Sequence, residues 1–506
     1  MKRGMEARDF SRVRLHSFPQ SPYNETGRPV RIWAYKGTNR RHGKEKRYFS
    51  CRNLHGRGRE VFYMKIKISD HFNYSKMLRF TLPSIMMMIF TSIYGMVDGF
   101  FISNFVGAVP FAAVNLVMPF IMVLGAVGMV FGSGGSALVS MKLGMGKKEE
   151  ANEIFSFLIY SALVFGTVLS AVGFVAAEPV ARFLGATDEM LPYCITYIRI
   201  NMLGNVQFIL QYMFQVFFVT ASKPHFGLYV TLAAGFANMI LDGVFLGVLG
   251  MGVDGAACAT VLSQTIGGVL PLVYFALPGR KALRIGKTRL NLRWIFDTVS
   301  NGLSEFLSSI SSSVVGMLYN FQLLKYAGAA GVAAYGVIMY GNFIFTGVYF
   351  GYSMGIAPAV SYHYGAENTK ELKGLFAKSL HIIAAFMVVL TALAEVFAPQ
   401  IVSIFVGYDG ELLAFTTQAY RIYALSFIFM GFNVFGSGFF TALNNGKISA
   451  LISFGRTLVF EVIFILLLPA VFGINGIWSA VIAAESAAFV LTIACLMRYR
   501  KVYQYA

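Results

Sequence analysis

The feature that most constrains this chain is a series of apolar runs, each long enough to cross a lipid bilayer. A transmembrane helix needs about 20 mostly apolar residues. Because a bilayer core offers no water to backbone groups, such runs must form helices or a closed barrel. Barrel strands are about 10 residues long with strict alternation, which these runs lack. The predicted fold is therefore all-α and membrane-integral, with twelve spans at about 77–103, 112–141, 154–177, 190–218, 225–248, 252–277, 297–325, 332–360, 376–398, 411–440, 447–470 and 475–497.

The overall composition agrees with the apolar runs. Charged residues make up 13% of the chain, and its mean hydropathy is +0.62. A soluble domain averages about 25% charged residues. A soluble enzyme, a nucleic-acid-binding protein and a disordered chain are therefore excluded, and we expect no enzymatic activity and no nucleic-acid partner.

Basic residues predict the orientation of the spans. The ends on the N-terminal side of the predicted bundle hold 21 Lys and Arg residues, whereas the opposite ends hold only Arg182 and Lys325. Loops rich in Lys and Arg stay in the cytoplasm. We therefore expect an inner-membrane protein with both termini cytoplasmic, which requires an even number of spans.

The segment 1–63 differs from the rest of the chain. It holds 16 basic and 5 acidic residues and no apolar run. A basic arm that binds nucleic acid or anionic lipid is one interpretation. The others are a disordered cytoplasmic tail and a start codon placed too early. We favour the early start, because Met64 opens a segment that leads directly into the first span.

An internal repeat divides the remaining chain into two halves. When the chain is aligned with itself, Gly107 meets Gly328 and Gly144 meets Gly365, and further matches in nearly the same register extend from Leu82 to Gly255. The predicted organisation is an N-lobe over 64–277, a cytoplasmic linker over 278–296 and a C-lobe over 297–506.

The repeat also predicts a mechanism. Because each half has six spans, the two halves enter the membrane from the same side as parallel repeats. Such halves face each other across a cavity and rock to alternate access. No phosphate-binding GxxxxGK[ST] motif accompanies them, so the leading class is a secondary transporter.

Few ionisable residues lie within the predicted spans, and each costs roughly 2.5–3.5 kcal/mol to insert. The leading candidates are Asp98 in span 1 and Asp242 in span 5. Asn238 shares a helix face with Asp242, and Thr260 in span 6 could face that pair. Oxygen ligands of this kind suit hard cations such as Na⁺, while burial and like-charge repulsion favour a proton on one carboxyl group. The structural alternative is that each carboxylate hydrogen-bonds locally in a bent helix.

The repeat offers an internal comparison for this cluster. In the alignment that pairs Gly107 with Gly328, the four residues meet Tyr319, Val459, Ile463 and Val481. A purely architectural cluster should recur in both halves, whereas a single coupling site need not. The loss of the whole set therefore favours a functional role.

Four further charged residues are secondary candidates for function. Glu305 lies two turns into span 7 and could line the cavity or lie near the interface. Glu461 and Arg456 share span 11, where they could pair with each other or with other helices. Glu485 aligns with Gln264, which favours a packing role.

Several short motifs together resemble the multidrug and toxic compound extrusion (MATE) transporters, in particular the bacterial drug/sodium antiporters. The likeness covers about residues 75–497. The motifs are Leu82-Pro83, Val97-Asp98-Gly99 followed by Gly107, Gly144 to Ala151 (GMGKKEEA), Asn238-xxx-Asp242, Gly252-xx-Gly255, and Gly476-Ile477-Trp478 with Glu485.

The resemblance implies a two-lobed bundle that exports organic cations in exchange for Na⁺ or H⁺. It also implies a cation site in the N-lobe with supporting residues, at Asp98, Asn238, Asp242, Thr260, Tyr94, Tyr197 and Pro83, where Pro83 matches the proline at which span 1 bends. One subgroup uses a span-7 glutamate and a span-10 aspartate instead. Glu305 lies too early to match, and span 10 has no mid-membrane acid, so we expect the N-lobe site.

We therefore expect an antiporter that exports hydrophobic, mostly cationic drugs in exchange for Na⁺ or H⁺. It would work as a monomer among membrane lipids, without a resident cofactor. The alternative is a flippase for a lipid or lipid-linked oligosaccharide in the same superfamily. A pyrophosphate-bearing lipid would call for more basic residues in the cavity, and only Arg199, Arg421 and Arg456 lie within spans. A channel or a receptor is disfavoured by the repeat.

Overall fold

The computed structural model describes two strands, over 34–39 and 46–51, and residues 66–279 and 282–506. The chain divides into two units, Met1–Lys65 and Ile66–Ala506. In the first unit, β1 (Ala34–Asn39) and β2 (Lys46–Cys51) pair antiparallel, with Ala34 opposite Cys51. The interpretation of 1–63 as a disordered extension or an early start stays a prediction, because most of that segment lies outside the described residues.

The N-terminal half of the second unit consists of long helices with short connections. Most exceed the roughly 20 residues that a span needs, so they must tilt or bend. The elements are α1 (Tyr74–Phe105), α2 (Ala108–Gly144), α3 (Lys148–Val175), the short α4 (Ala177–Phe183), α5 (Leu191–Thr220), α6 (Pro224–Asp242), a π-helical turn (Gly243–Val248) and α7 (Gly252–Ala276).

The C-terminal half repeats this order. Its elements are α8 (Leu292–Gly365), α9 (Thr369–Val396), the short α10 (Ala398–Val406), α11 (Gly410–Ala424), α12 (Phe427–Ala442), α13 (Gly446–Phe454), a second π-helical turn (Gly455–Phe460), α14 (Glu461–Phe472) and α15 (Ile474–Tyr503).

The 74-residue helix α8 comprises two spans. At about 1.5 Å per residue, it would be several times longer than the roughly 30 Å hydrocarbon core. The break lies at Gly328, whose φ of 60° and ψ of −150° are non-helical. Its repeat mate Gly107, between α1 and α2, also has a positive φ, of 102°. Only glycine adopts these conformations without strain, so both halves reverse the chain with a glycine at the same place.

The count of twelve spans is confirmed for the described residues. Ten helical stretches are long and apolar enough to cross a membrane, and α8 contributes two crossings rather than one. The pair α11 and α12, bent by 46°, forms one further span. Each half therefore contributes six spans in the same order, which confirms the two-repeat fold.

Several helices begin earlier than the apolar pattern predicts. The first helix starts at Tyr74 rather than 77, because the Asn73 side chain accepts a hydrogen bond from the Lys76 amide and caps it. Likewise, α8 begins at Leu292, inside the predicted linker 278–296, behind the cap Asn291. Polar caps and a first polar turn extend a helix beyond its apolar part, and hydropathy does not detect them.

The two halves share apolar clusters at one end of the bundle. We call the end where α1 begins and α2 ends the basic end. There, one apolar cluster joins Phe72 and Phe80 of the N-terminal half to Leu375 of the C-terminal half, and another joins Trp294 of the C-terminal half to Phe155 of the N-terminal half. At the opposite end, each half packs around a cluster of its own. The halves therefore share an apolar core at the basic end, whereas toward the other end each half has its own.

Candidate functional site

The two in-membrane aspartates of the N-terminal half lie next to each other. Asp98 lies three-quarters of the way along α1, and Asp242 is the last residue of α6, just before the π-helical turn. Both residues are buried, and their carboxyl groups lie close enough to interact electrostatically. Two carboxylates cannot bond to each other, because neither has a hydrogen to donate. A proton or a cation is needed to hold them together.

The oxygen atoms around this pair lack donors. Among the described residues, the buried oxygens without a hydrogen-bond partner include Asp98 Oδ1, both carboxylate oxygens of Asp242, Asn238 Oδ1 and Thr260 Oγ1. Asn238 lies one turn before Asp242, and Thr260 lies on α7, which packs against α6. Buried polar atoms nearly always have partners, so unpaired buried oxygens on neighbouring helices are suited to a proton or a hard cation.

The aspartate pair differs from other acids in the described part of the chain. One further buried carboxylate oxygen has no hydrogen-bond partner, Glu153 Oε2, and it faces the Arg289 guanidinium at 3.4 Å. No group of three or more His, Cys, Asp or Glu residues in the described ranges is placed to hold a metal ion. With two carboxylates and neutral oxygens, the site fits a monovalent cation or a proton better than a transition metal.

Two tyrosines flank the carboxylates, as the resemblance implies. Tyr197 on α5 is buried within electrostatic range of both aspartates, and Tyr94 lies one turn before Asp98 on α1. The structure does not bring Pro83 to the site. It lies four turns before Asp98 in the uninterrupted helix α1, a distance of about 22 Å along the axis.

A row of buried amide side chains on α5 lies beside the site and was not among the predicted site residues. Gln211 lies near the Tyr94 hydroxyl. Asn201 lies one turn after Tyr197 and donates to its backbone carbonyl at 2.9 Å. Asn205 and Gln215 are buried on the same helix. Spacings of four residues, from 197 to 201 to 205 and from 211 to 215, mark polar positions on one helix face. This signal was available in the sequence of span 4.

In the C-terminal half, Glu485 on α15 is fully paired. It accepts from Arg456 Nε at 2.7 Å and from Asn433 Nδ2 at 2.7 Å. Thr492 donates to the Asn433 side-chain oxygen at 3.0 Å and extends the network. Arg456 therefore pairs with another helix and not with Glu461, and the network suits a packing role for Glu485.

The other two acids of that half lack direct partners. Among the described residues, neither Glu305 on α8 nor Glu461 at the start of α14 forms a hydrogen bond or an ion pair, and both are partly buried. Glu461 is within electrostatic range of Tyr319 and Tyr335, whose rings stack with centroids 5.0 Å apart. Acidic and aromatic side chains thus meet inside this half as well.

The second π-helical turn changes how the two halves correspond. The ungapped alignment of the halves pairs Asn238 and Asp242 with Val459 and Ile463, but these two side chains are 40% and 43% exposed. A π-helical turn holds an extra residue and rotates the helix that follows. On α14 the inward positions are those of Glu461 and the fully buried Ile465. The C-terminal half therefore carries one acid, Glu461, on a less exposed face of α14 than Val459 and Ile463.

Comparison with known proteins agrees with this fold. The family model MatE matches residues 83–244 and 306–467. One relative is the "Multidrug export protein MepA" of Staphylococcus haemolyticus, 26% identical over 423 residues that cover 82% of this chain and 92% of that protein. The protein of that name in Staphylococcus aureus (strain MSSA476) is 24% identical over 84% of this chain and 94% of its own length.

Solved structures show the same architecture. "Crystal structure of MATE in complex with MaL6" superimposes with a TM-score of 0.82 at 21% identity, over 86% of this chain and 98% of that one. "Outward-facing conformation of a multidrug resistance MATE family transporter of the MOP superfamily" also gives a TM-score of 0.82, at 20% identity over the same shares. Two matches to the family model that together cover more than half of the chain, on a twelve-span fold with two repeats, place this membrane protein in the MATE family of transporters.

Proposed function

We propose that this transporter exports hydrophobic, mostly cationic compounds in exchange for Na⁺ or H⁺, and that Asp98 and Asp242 form its coupling site. The observation that carries the proposal is the adjacent, buried pair of carboxyl groups with oxygens that lack donors. The names of the relatives, multidrug export proteins, support the substrate class.

The coupling would follow from charge. Two ionised carboxylates side by side in a buried site repel each other and are costly. An incoming Na⁺ or proton relieves that repulsion, and so does the positive group of a drug. Because the site neutralises one such charge at a time, ion binding from one side would favour release of the drug on that side. Tyr94, Tyr197 and the α5 amides would orient the oxygens.

The chain's orientation is part of the proposal. The excess of Lys and Arg at the basic end supports a cytoplasmic location for that end and for both termini. We further propose that the protein resides in the inner membrane and acts as a monomer, since each chain has both halves of the cavity.

The in-span arginines argue against the flippase alternative. Arg456 is neutralised by Glu485, whereas Arg199 and Arg421 are solvent- or lipid-exposed. Arg199 packs over the Phe174 ring, 5.4 Å from its centroid. In the described residues, therefore, none of the three is a free cation inside the bundle for a pyrophosphate group.

Dye transport in vesicles tests the proposal. Reconstituted protein should export ethidium when a Na⁺ or pH gradient is imposed, and Asp98→Asn or Asp242→Asn should reduce gradient-driven export at least about 100-fold. Glu178→Gln, which removes an exposed acid paired with Arg182, is the matched control and should transport normally. Full activity of either aspartate variant would disprove the coupling site, and movement of a fluorescent lipid but no dye would favour the flippase.

A sodium-free preparation separates the two coupling ions. Export driven by a pH gradient in Na⁺-free buffer would establish H⁺ coupling. Export that requires Na⁺ at constant pH would establish Na⁺ coupling.

A further inference from the structure

Two short segments cross between the halves at the basic end. The first, residues 66–73, precedes α1, and we call it the N-strap. The second, residues 282–291, precedes α8, and we call it the C-strap. Each strap leads into the first helix of its own half and contacts the other half. The N-strap also touches its own half, where the Ile68 amide donates to Ser222 Oγ at 3.2 Å.

The N-strap is held by a buried acid of the C-terminal half. Glu371, in the first turn of α9, accepts from the Phe72 amide at 2.7 Å and from His71 Nδ1 at 2.6 Å. Lys378, two turns later, donates to the Phe72 carbonyl at 2.6 Å. The Phe72 ring is fully buried in the apolar cluster that contains Leu375.

The C-strap makes the corresponding contact with α3 of the N-terminal half. The Arg284 amide donates to Asn152 Oδ1 at 2.8 Å, and the Gly286 amide donates to Ser156 Oγ at 3.0 Å. Thr288 donates to the Glu153 carbonyl at 2.8 Å, and Leu283 is fully buried. Since α3 and α9 are equivalent helices of the two repeats, each strap binds the same helix of the opposite half.

The helices beneath the straps touch through glycines. A Cβ atom at Gly144 would overlap the Tyr362 carbonyl oxygen of α8, and a Cβ at Gly365 would overlap the Met141 carbonyl oxygen of α2. These two glycines are repeat mates. The basic end is thus closed by backbone contact.

The two halves use the equivalent glutamate, in the first turn of α3 and of α9, in different ways. Glu150 is the repeat mate of Glu371, and it pairs within its own half with Lys142, at 2.7 Å. The mate of Lys142 is His363, which instead lies within electrostatic range of Glu371 and contacts the Asp70 carbonyl at 3.3 Å. The same position therefore supports an internal ion pair in one half and binds a crossing strap in the other.

We propose that the two straps form a paired clasp that keeps the basic end closed, and that Glu371 is the residue that locks it. This inference rests on the proposed function only in that a transporter must open this end during its cycle. Release of the N-strap from Glu371 would accompany opening, so Glu371 would set the balance between the closed and open forms.

The test is a distance measurement that does not depend on transport. Lys148 and Lys370, both exposed at the basic end, are replaced by spin-labelled cysteines in a full-length chain whose four native cysteines are removed. Pulsed electron-spin resonance in nanodiscs should give mainly the short distance of the closed form. Glu371→Gln should raise the ratio of open to closed form by about tenfold, because charged hydrogen bonds are lost.

Glu150→Gln is the matched control and should leave the distance distribution unchanged. If Glu371→Gln is not monodisperse, His71→Ala replaces it, because the His71 side chain is 72% exposed and its loss should not prevent folding. It should raise the open form by about threefold, since one of the charged hydrogen bonds is lost. An unchanged distribution in the Glu371 or His71 variant, or an equal change in Glu150→Gln, would overturn the clasp.

Discussion

At the scale of single residues, this protein separates acids that are paired from acids that are not. Glu485 is held by Arg456 and Asn433, whereas Asp98 and Asp242 have only each other. A buried acid with a full set of partners stabilises the fold around it. A buried pair without donors costs stability, and we propose that this cost is kept because the pair binds an ion.

Breaking the Arg456–Glu485 pair tests the first half of this distinction. The side chains are 13% and 4% exposed, and removing one partner from a buried pair costs about 3–5 kcal/mol. Arg456→Met should therefore lower the thermal unfolding temperature of the purified protein strongly, and Arg456→Met with Glu485→Met should recover part of the loss.

Arg182→Met is the control for that experiment. Its pair with Glu178 is about half exposed on both sides, and such pairs are worth about 0–1 kcal/mol. Similar unfolding temperatures for Arg456→Met and Arg182→Met would show that the C-terminal network is not a structural ion pair.

At the scale of elements, hydropathy does not show which backbone conformation breaks a long helix into two spans. Gly328 has the backbone conformation that divides α8 into two spans. Gly328→Ala should destabilise the protein by about 1–3 kcal/mol, because a side chain strains that conformation. The unfolding temperature measures this, with Gly336→Ala as the control, since it lies in the same helix with open space around its Cβ and no positive φ. Equal effects of the two changes would contradict a chain reversal at Gly328.

The apolar pattern predicted the twelve spans, because the bilayer requires about 20 apolar residues for each crossing. It also identified Asp98 and Asp242 as candidate site residues, because an ionisable residue stands out in an apolar run. It could not predict that Glu461 faces inward. A π-helical turn, Gly455–Phe460, directly precedes Glu461 and changes the rotation of the helix after it, and hydropathy does not detect such a turn.

The contacts of the straps could not be predicted from the sequence either. The segment 66–73 reads as a short polar lead into α1, and its binding partner Glu371 lies far away in the chain, in the other half. Only the packing of the two halves brings them together. The row of amide side chains on α5, in contrast, could have been found from its four-residue spacing.

At the scale of the whole molecule, the two repeats have the same architecture and different chemistry. The N-terminal half holds the aspartate pair. The C-terminal half holds Glu461 near Tyr319 and Tyr335, and Glu305 near Arg456. We propose that these two acids attract the positive group of a drug into the cavity. Glu461→Gln should weaken binding of a hydrophobic cation roughly three- to tenfold in an equilibrium titration, and it should leave the dependence of binding on Na⁺ or pH unchanged. Loss of that dependence would indicate that the coupling site lies in the C-terminal half instead.

The central claim is that one ion and one drug compete through Asp98 and Asp242. The most direct test is calorimetric titration of the purified protein with tetraphenylphosphonium at a series of Na⁺ concentrations and pH values. We predict that the apparent affinity of the wild-type protein falls as Na⁺ or proton concentration rises, by up to tenfold for each tenfold increase. In Asp98→Asn with Asp242→Asn, the affinity should no longer change with either ion. An undiminished ion dependence in that double variant would contradict the account.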